Sequence, residues 1–139
     1  MTRIDFLLMS DANYTWQLTS AIAGILCACR NNNCVVHVID CGISDVAWER
    51  IVCNISDLAS RRKLVCTLDR LHPEMAVLSR MKSYRGTVAT YSRLLAPILL
   101  PNVKHCIYVD CDVLLIDNIE DLFAAFVRSG HLVGGHIDV

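Results

Sequence analysis

The sequence has no surplus of either charge, few aromatic residues and no paired cysteine motif, and each shortage removes a class of protein. Thirteen basic residues stand against fourteen acidic ones, so no basic stripe is on hand to neutralise a phosphate backbone. Aromatic side chains make up 6% of the chain, too few for a surface on which bases stack. Both counts speak against a nucleic-acid partner. The eight cysteines, Cys27, Cys29, Cys34, Cys41, Cys53, Cys66, Cys106 and Cys111, include no C-x-x-C pair, and zinc fingers need such pairs for ligand geometry. Most of them lie inside apolar runs, where a reduced thiol behaves as a small hydrophobe. That usage fits a reducing compartment.

A membrane-spanning run is lacking too. The longest uncharged stretch, residues 12–29, has the length of a span, but Asn13, Thr15, Gln17, Thr19 and Ser20 fall in its first half. Those polar groups mark an amphipathic helix instead. No secretory leader is visible either, because Ile4-Asp5-Phe6-Leu7-Leu8-Met9 is short and contains an acid. The mature protein is therefore expected to begin here and to work in the cytoplasm. No linker, repeat or low-complexity segment breaks the chain, and 54% apolar composition is enough to fill a core. A single domain over residues 1–139 is the expectation.

Periodicity then gives an alternation of strands and helices. Residues 4–9 read as a strand that stops at Ser10-Asp11-Ala12-Asn13, where turn formers open a helix over 15–30 with Trp16, Leu18, Ala21, Ile22, Ile25, Leu26 and Cys29 on its apolar stripe. The β-branched run 34–40 is a second strand. Ser44 or Asp45 caps a second helix, with Ala47, Trp48, Ile51, Val52, Ile55 and Leu58 on one face before the basic run Arg61-Arg62-Lys63. Residues 64–68 are a third strand, and two consecutive strand-helix-strand units point to a parallel sheet with right-handed crossovers. A short helix is expected around 74–80, and another over 87–99 that Pro97 bends or ends. A buried strand over 106–109, an extended 113–116, a helical piece from Asp117 to Phe126 and a last strand over 132–138 complete the reading.

The chemistry centres on Asp110-Cys111-Asp112, at the end of the fourth strand. In an extended segment residues two apart share a side, so Asp110 and Asp112 would point together while Cys111 packs inward. Two aligned carboxylates repel unless they stay wet, are protonated, or share a hard divalent cation. The carboxyl end of a strand is also where open α/β sheets bind ligands.

Five ordered stretches together give a resemblance. They are Phe6-Leu7-Leu8-Met9-Ser10-Asp11-Ala12-Asn13-Tyr14, Val38-Ile39-Asp40-Cys41-Gly42-Ile43-Ser44, Thr87-Val88-Ala89-Thr90-Tyr91-Ser92-Arg93-Leu94, Ile107-Tyr108-Val109-Asp110-Cys111-Asp112-Val113-Leu114 and Gly134-Gly135-His136-Ile137-Asp138. In this order the chain resembles the amino-terminal part of a family 8 glycosyltransferase, the family of lipopolysaccharide galactosyl- and glucosyltransferases and of glycogenin. The resemblance implies a GT-A fold, Rossmann-like and mostly parallel, flanked by helices and incomplete at its carboxyl end. It implies a UDP-hexose donor, Mn2+ or Mg2+ as the metal, transfer with retention, and a saccharide or glycolipid acceptor such as lipopolysaccharide or another cell-surface glycan. By the same resemblance Asp110 contacts ribose and metal, and Asp112 chelates the metal. Asp11, Asn13 and Tyr14 would surround the uridine, Thr90 and Arg93 would lie near the diphosphate-sugar, and Asp138 would bind donor sugar or acceptor hydroxyls.

Plainer roles stay open beside these. Asp11 and Asn13 suit turn and cap positions, Arg93 suits a structural ion pair, and Tyr91 suits the core. His37, His72, His105 and His136 show no metal spacing and read as structural or surface residues, with His131 in a loop. A third metal ligand, a His, and a diphosphate-binding Lys come in this family from a later segment that would lie beyond Val139. The chain is thus expected to be a fragment, or to be completed by a partner chain as an oligomer. Peripheral contact with the inner membrane face through that later segment is left open. The alternatives are a catalytically incomplete nucleotide-sugar-binding domain and a haloacid-dehalogenase-like phosphatase, in which the first Asp would be a nucleophile.

Overall fold

The structure, a computed structural model, describes residues 3–30, 33–74, 80 and 89–131. Strands β1 (Arg3–Ser10), β2 (Asn33–Asp40), β3 (Cys66–Leu71) and β4 (Ile107–Tyr108) form a parallel sheet in the order β3-β2-β1-β4. The first strand lies inside because its apolar run continues on both faces. Ile4, Phe6 and Leu8 point to one side and join Val36 and Val38 against α1 (Thr15–Ala28) and α2 (Asp45–Arg62). Leu7 and Ile39 point to the other and meet Leu100, Leu99 and Tyr108. Each such side chain taken fully out of water contributes about 1.5–3 kcal/mol, which is what holds the strand order.

The helix boundaries follow local chemistry. Asp11 accepts a hydrogen bond from the Asn13 amide at 2.8 Å and opens a 3-10 turn over Ala12–Tyr14, from which α1 continues. Its buried face is Leu18, Ala21, Ile22, Ile25 and Leu26. Trp16 does not belong to that face: it is 82% exposed, because two residues before Leu18 lies about 200° around the helix from it. Ser44 caps α2 by accepting from the Ala47 amide, and Lys63 ends it in the left-handed conformation (φ 57°) while the Leu64 amide reaches back to the Ala59 carbonyl.

That last bond explains one correction. Leu64 still belongs to the helix cap, so β3 starts later than expected and runs on through Asp69 and Arg70, both of which find partners. Arg70 donates to Asp40, Asp45 and the Ile43 carbonyl and lies 5.4 Å over the Trp48 ring. The Asp40 carboxyl is pushed up by burial, yet the amides of Ile43 and Gly42 together with Arg70 outweigh burial and hold it below the usual range. Asp69 accepts from His37, which reaches Asp5 with its other ring nitrogen (2.9 and 2.8 Å). The buried His37 ring therefore joins three neighbouring strands, and Arg3 closes the row on Asp5.

Past residue 89 the expected long helix is broken. Residues Ala89–Leu95 form a 3-10 segment, and only α3 (Ala96–Leu99) is α-helical, with Pro97 in its first turn, where a missing N–H costs nothing. The ladder of β4 is two residues long, and 113–116 leaves the sheet as a loop in which Leu114 and Ile116 are exposed. Helix α4 (Glu120–Ser129) begins later than Asp117, because Asp117 accepts from the Asn118 amide and Asn118 in turn accepts from the Glu120 amide. The helix expected around 74–80 falls almost wholly, and the strand expected over 132–138 wholly, outside the described residues. All eight cysteines are free thiols. Cys29, Cys34 and Cys66 lie together at the end of α1, and the Cys29 thiol is pushed far up, first by its hydrogen bond with Cys34 and then by burial.

Candidate functional site at the carboxyl edge of the sheet

Three loops leave the sheet side by side at the carboxyl ends of β1, β2 and β4. The parallel register pairs Leu7 with His37 and with Tyr108, the Val109 amide donates to the Leu7 carbonyl, and the Cys41 amide donates to the Ser10 carbonyl. The turn 11–14, the turn 41–44 and the segment 110–116 therefore emerge at one edge. Gly42, with φ +120°, makes the second of these turns sharp enough for its amide and that of Ile43 to close on Asp40.

The Asp pair differs in geometry from the extended arrangement expected. Strand β4 has ended by Val109, and Asp110 opens a turn in which the Val113 amide donates to the Asp110 carbonyl at 3.0 Å. Both carboxylates are exposed on this turn, while Cys111 packs against the core as expected. Burial raises the Cys111 thiol, and Asp112, Asp110 and Asp11 add to the shift in that order. Three carboxylates from two loops thus act on a single thiol.

Asp110 is the best-anchored member of the group. The Tyr108 hydroxyl donates to its Oδ1 at 2.6 Å, and Arg93 Nη1 stands 3.7 Å from the same oxygen. The Arg93 guanidinium lies 5.0 Å over the Tyr108 ring and its Nε donates to the Thr90 carbonyl at 2.9 Å. An attraction between cation and ring face adds to those hydrogen bonds. Burial, the bond to Asp110 and the charge of Asp110 all raise the Tyr108 phenol, so it remains a donor.

The remaining residues singled out from sequence take simple positions. Asp11 caps the 3-10 turn, Asn13 is exposed on it, and Tyr14 is 45% exposed. Thr90 is half-buried at the start of the segment that carries Arg93. Asp138 lies outside the described residues. Among the described residues no three His, Cys, Asp or Glu side chains converge on a point that would hold a metal ion. The protein offers two carboxylates there and a guanidinium beside them.

Two residues of the site escaped the sequence reading. Tyr108 precedes Asp110 by two, so the alternation applied to Asp110 and Asp112 already places it on the same side as Asp110; the signal was present. Gly24 had no comparable signal. A Cβ at this position of α1 would stand 2.7 Å from Leu114 Cδ1 and 3.2 and 3.3 Å from the Leu115 backbone nitrogen and oxygen. The loop that follows the Asp pair therefore rests directly on the helix, and a cleft of about 290 Å³ lined by Trp16, Gln17, Asp112 and Val113 opens next to it.

Comparison with known proteins bears on the same region. The model of the family described as Glycosyl transferase family 8 matches residues 6–138. The Glycosyltransferase 8 domain-containing protein 1 of Xenopus tropicalis is 45% identical over 42 residues, which is 30% of this chain and 11% of that protein. Among solved structures, the galactosyltransferase LgtC in complex with donor and acceptor sugar analogs superimposes with a TM-score of 0.74 at 21% identity. That match covers 86% of this chain and 41% of LgtC. The bifunctional glycosyltransferase WbbM, in its apo form, gives 0.64 at 20% identity over 88% of this chain and 21% of its own. The chain thus spans less than half the length of these proteins. The likeness of the parallel sheet and its helices to LgtC establishes the GT-A architecture.

Proposed function

Because the chain belongs to glycosyl transferase family 8, we propose that it carries the donor site of a metal-dependent, retaining hexosyltransferase that moves a hexose from a UDP-sugar to a saccharide acceptor. Lipopolysaccharide or another cell-surface glycan is the acceptor in this reading. The observation that carries it is the meeting, at one sheet edge, of the Asp110–Asp112 turn, the Arg93 guanidinium and the turn that holds Asp11, Asn13 and Tyr14. Family membership, more than the Asp-x-Asp spacing, weighs against a phosphatase.

The donor set fits a hard divalent ion. Mg2+ and Mn2+ are served by carboxylate and water oxygens, and Mg2+ commonly takes only one or two carboxylates with substrate phosphates completing its shell. Asp110 and Asp112 supply two such groups on an exposed turn. When bound, the ion stabilises the negative charge that builds on the leaving diphosphate. Around it, Arg93 contributes a fixed positive charge, held in place by Thr90 and Tyr108, toward the diphosphate-sugar. Asp11, Asn13 and Tyr14 form the surface for the uridine, and Asp138 is assigned to sugar hydroxyls. No helix among the described residues is long and apolar enough to cross a membrane. The reading places the enzyme in the cytoplasm.

Calorimetric titration of UDP into the 139-residue chain, with and without Mn2+, tests the assignment. UDP affinity is expected to rise with Mn2+, and Asp112→Asn is expected to abolish that rise while leaving metal-free binding intact. A Mn2+ effect that survives in Asp112→Asn would overturn the metal role.

A further inference from the structure

We propose that Tyr108 is a positioning residue that commits Oδ1 of Asp110 to a hydrogen bond and so presents Oδ2 alone to the divalent ion. This rests on the reading of Asp110 as an ion ligand. Oδ1 is already engaged by the Tyr108 hydroxyl at 2.6 Å and is approached by Arg93 at 3.7 Å. Among the described residues, Oδ2 takes part in no hydrogen bond to the protein. A carboxylate on an exposed turn otherwise rotates freely, and an ion binding it must first halt that rotation. The phenol removes this cost in advance. Groups that hydrogen-bond a metal ligand from behind characteristically change metal affinity or activity by 10- to 100-fold when removed.

Tyr108 is well placed for this duty. Its ring is half-buried in the second apolar cluster, with Leu7 and Cys106, so the hydroxyl is delivered from a fixed base. The same ring seats the Arg93 guanidinium 5.0 Å above it. One side chain thus sets the direction of the anionic ligand and the place of the cation that accompanies it, and the two functions are separable. Among the described residues the hydroxyl serves only Asp110, whereas the ring face serves Arg93 and the core.

Tyr108→Phe removes the first function and keeps the second. Mn2+ binding to the 139-residue chain, read by electron paramagnetic resonance of free Mn2+ with and without UDP, is expected to weaken by about tenfold in this variant. Its urea unfolding midpoint and its metal-free UDP affinity are expected to match the parent. A Tyr108→Phe chain that holds Mn2+ like the parent, while Asp110→Asn loses it, overturns the positioning role and leaves the proposed function standing. Unchanged Mn2+ binding in both Asp110→Asn and Asp112→Asn overturns the ion site itself, and this inference with it. A loss of unfolding stability in Tyr108→Phe equal to its loss of affinity also counts against the proposal, because the hydroxyl would then be serving the fold.

Discussion

Replacing Gly24 with alanine tests whether the loop after the Asp pair is held by α1. On an ordinary helix the change is stabilising, by up to about 1 kcal/mol, since alanine loses less backbone entropy than glycine. Here the added methyl would stand 2.7 Å from Leu114 Cδ1, which can swing aside, and 3.2 and 3.3 Å from the Leu115 backbone, which cannot move without the loop. Overpacking of this kind costs typically about 1–3 kcal/mol. The two effects oppose, and the cost prevails by about 1 kcal/mol at the middle of its range. Unfolding in urea should show the loss, with a thermal midpoint lower by about 4 °C for a chain of this size. Because Leu114 and Leu115 lie two and three residues after Asp112, the displaced loop should also weaken Mn2+-dependent UDP binding. A Gly24→Ala chain that gains about 1 kcal/mol and binds Mn2+ unchanged would show that the loop does not rest on the helix.

Other perturbations probe the frame that holds the site. Arg70→Met strips the buried Asp40 of its guanidinium partner; with the side chain of Arg70 partly wet, a loss of about 2 kcal/mol is expected in urea unfolding. The Asp40 carboxyl sits below its usual range when folded, so its contribution is complete above about pH 4, where the unfolded chain also ionises. It drains away as pH falls through the lower folded value, and Asp40→Asn should flatten the acid limb of the stability profile. His37→Leu leaves Asp5 buried without the imidazole and should cost about 3 kcal/mol, measured the same way, while the exposed side of the network at Asp69 contributes little.

Much of the fold could be read from apolar periodicity because the elements are decided locally. The β-branched run of β2 favours extended backbone by itself and the capping serine of α2 accepts from the Ala47 amide of its own helix, and the structure puts both within a residue of expectation. The departures arise where a distant partner decides. Strand β3 extends to Leu71 because Arg70 finds Asp40 on the neighbouring strand. Trp16 leaves the apolar stripe because its angle around the helix turns it from the sheet. His37, read as a structural or surface residue, proves to be a buried bridge between Asp5 and Asp69, and no spacing in the sequence could name those two acids as its partners.

The Asp pair is the instructive case, since its residues were identified and its geometry was not. Alternation along a strand holds only as long as a neighbouring strand keeps the backbone extended. The ladder between β1 and β4 covers only Ile107 and Tyr108, and the last strand-like bond from Val109 to Leu7 releases the chain into a turn. Alternation therefore survives from Tyr108 to Asp110, where it delivers the hydroxyl to the carboxylate, and fails from Asp110 to Asp112. Asp110 is then held through a side chain of the strand, while Asp112 is held only through the loop that lies on Gly24. The two carboxylates should accordingly answer to different changes: Tyr108→Phe acts on the first and Gly24→Ala on the second. Because the two supports share no atom, the double variant should bind Mn2+ more weakly than either single one, though the losses need not sum in full since both carboxylates serve one ion. A double variant no weaker than either single one would mean that one support governs both carboxylates.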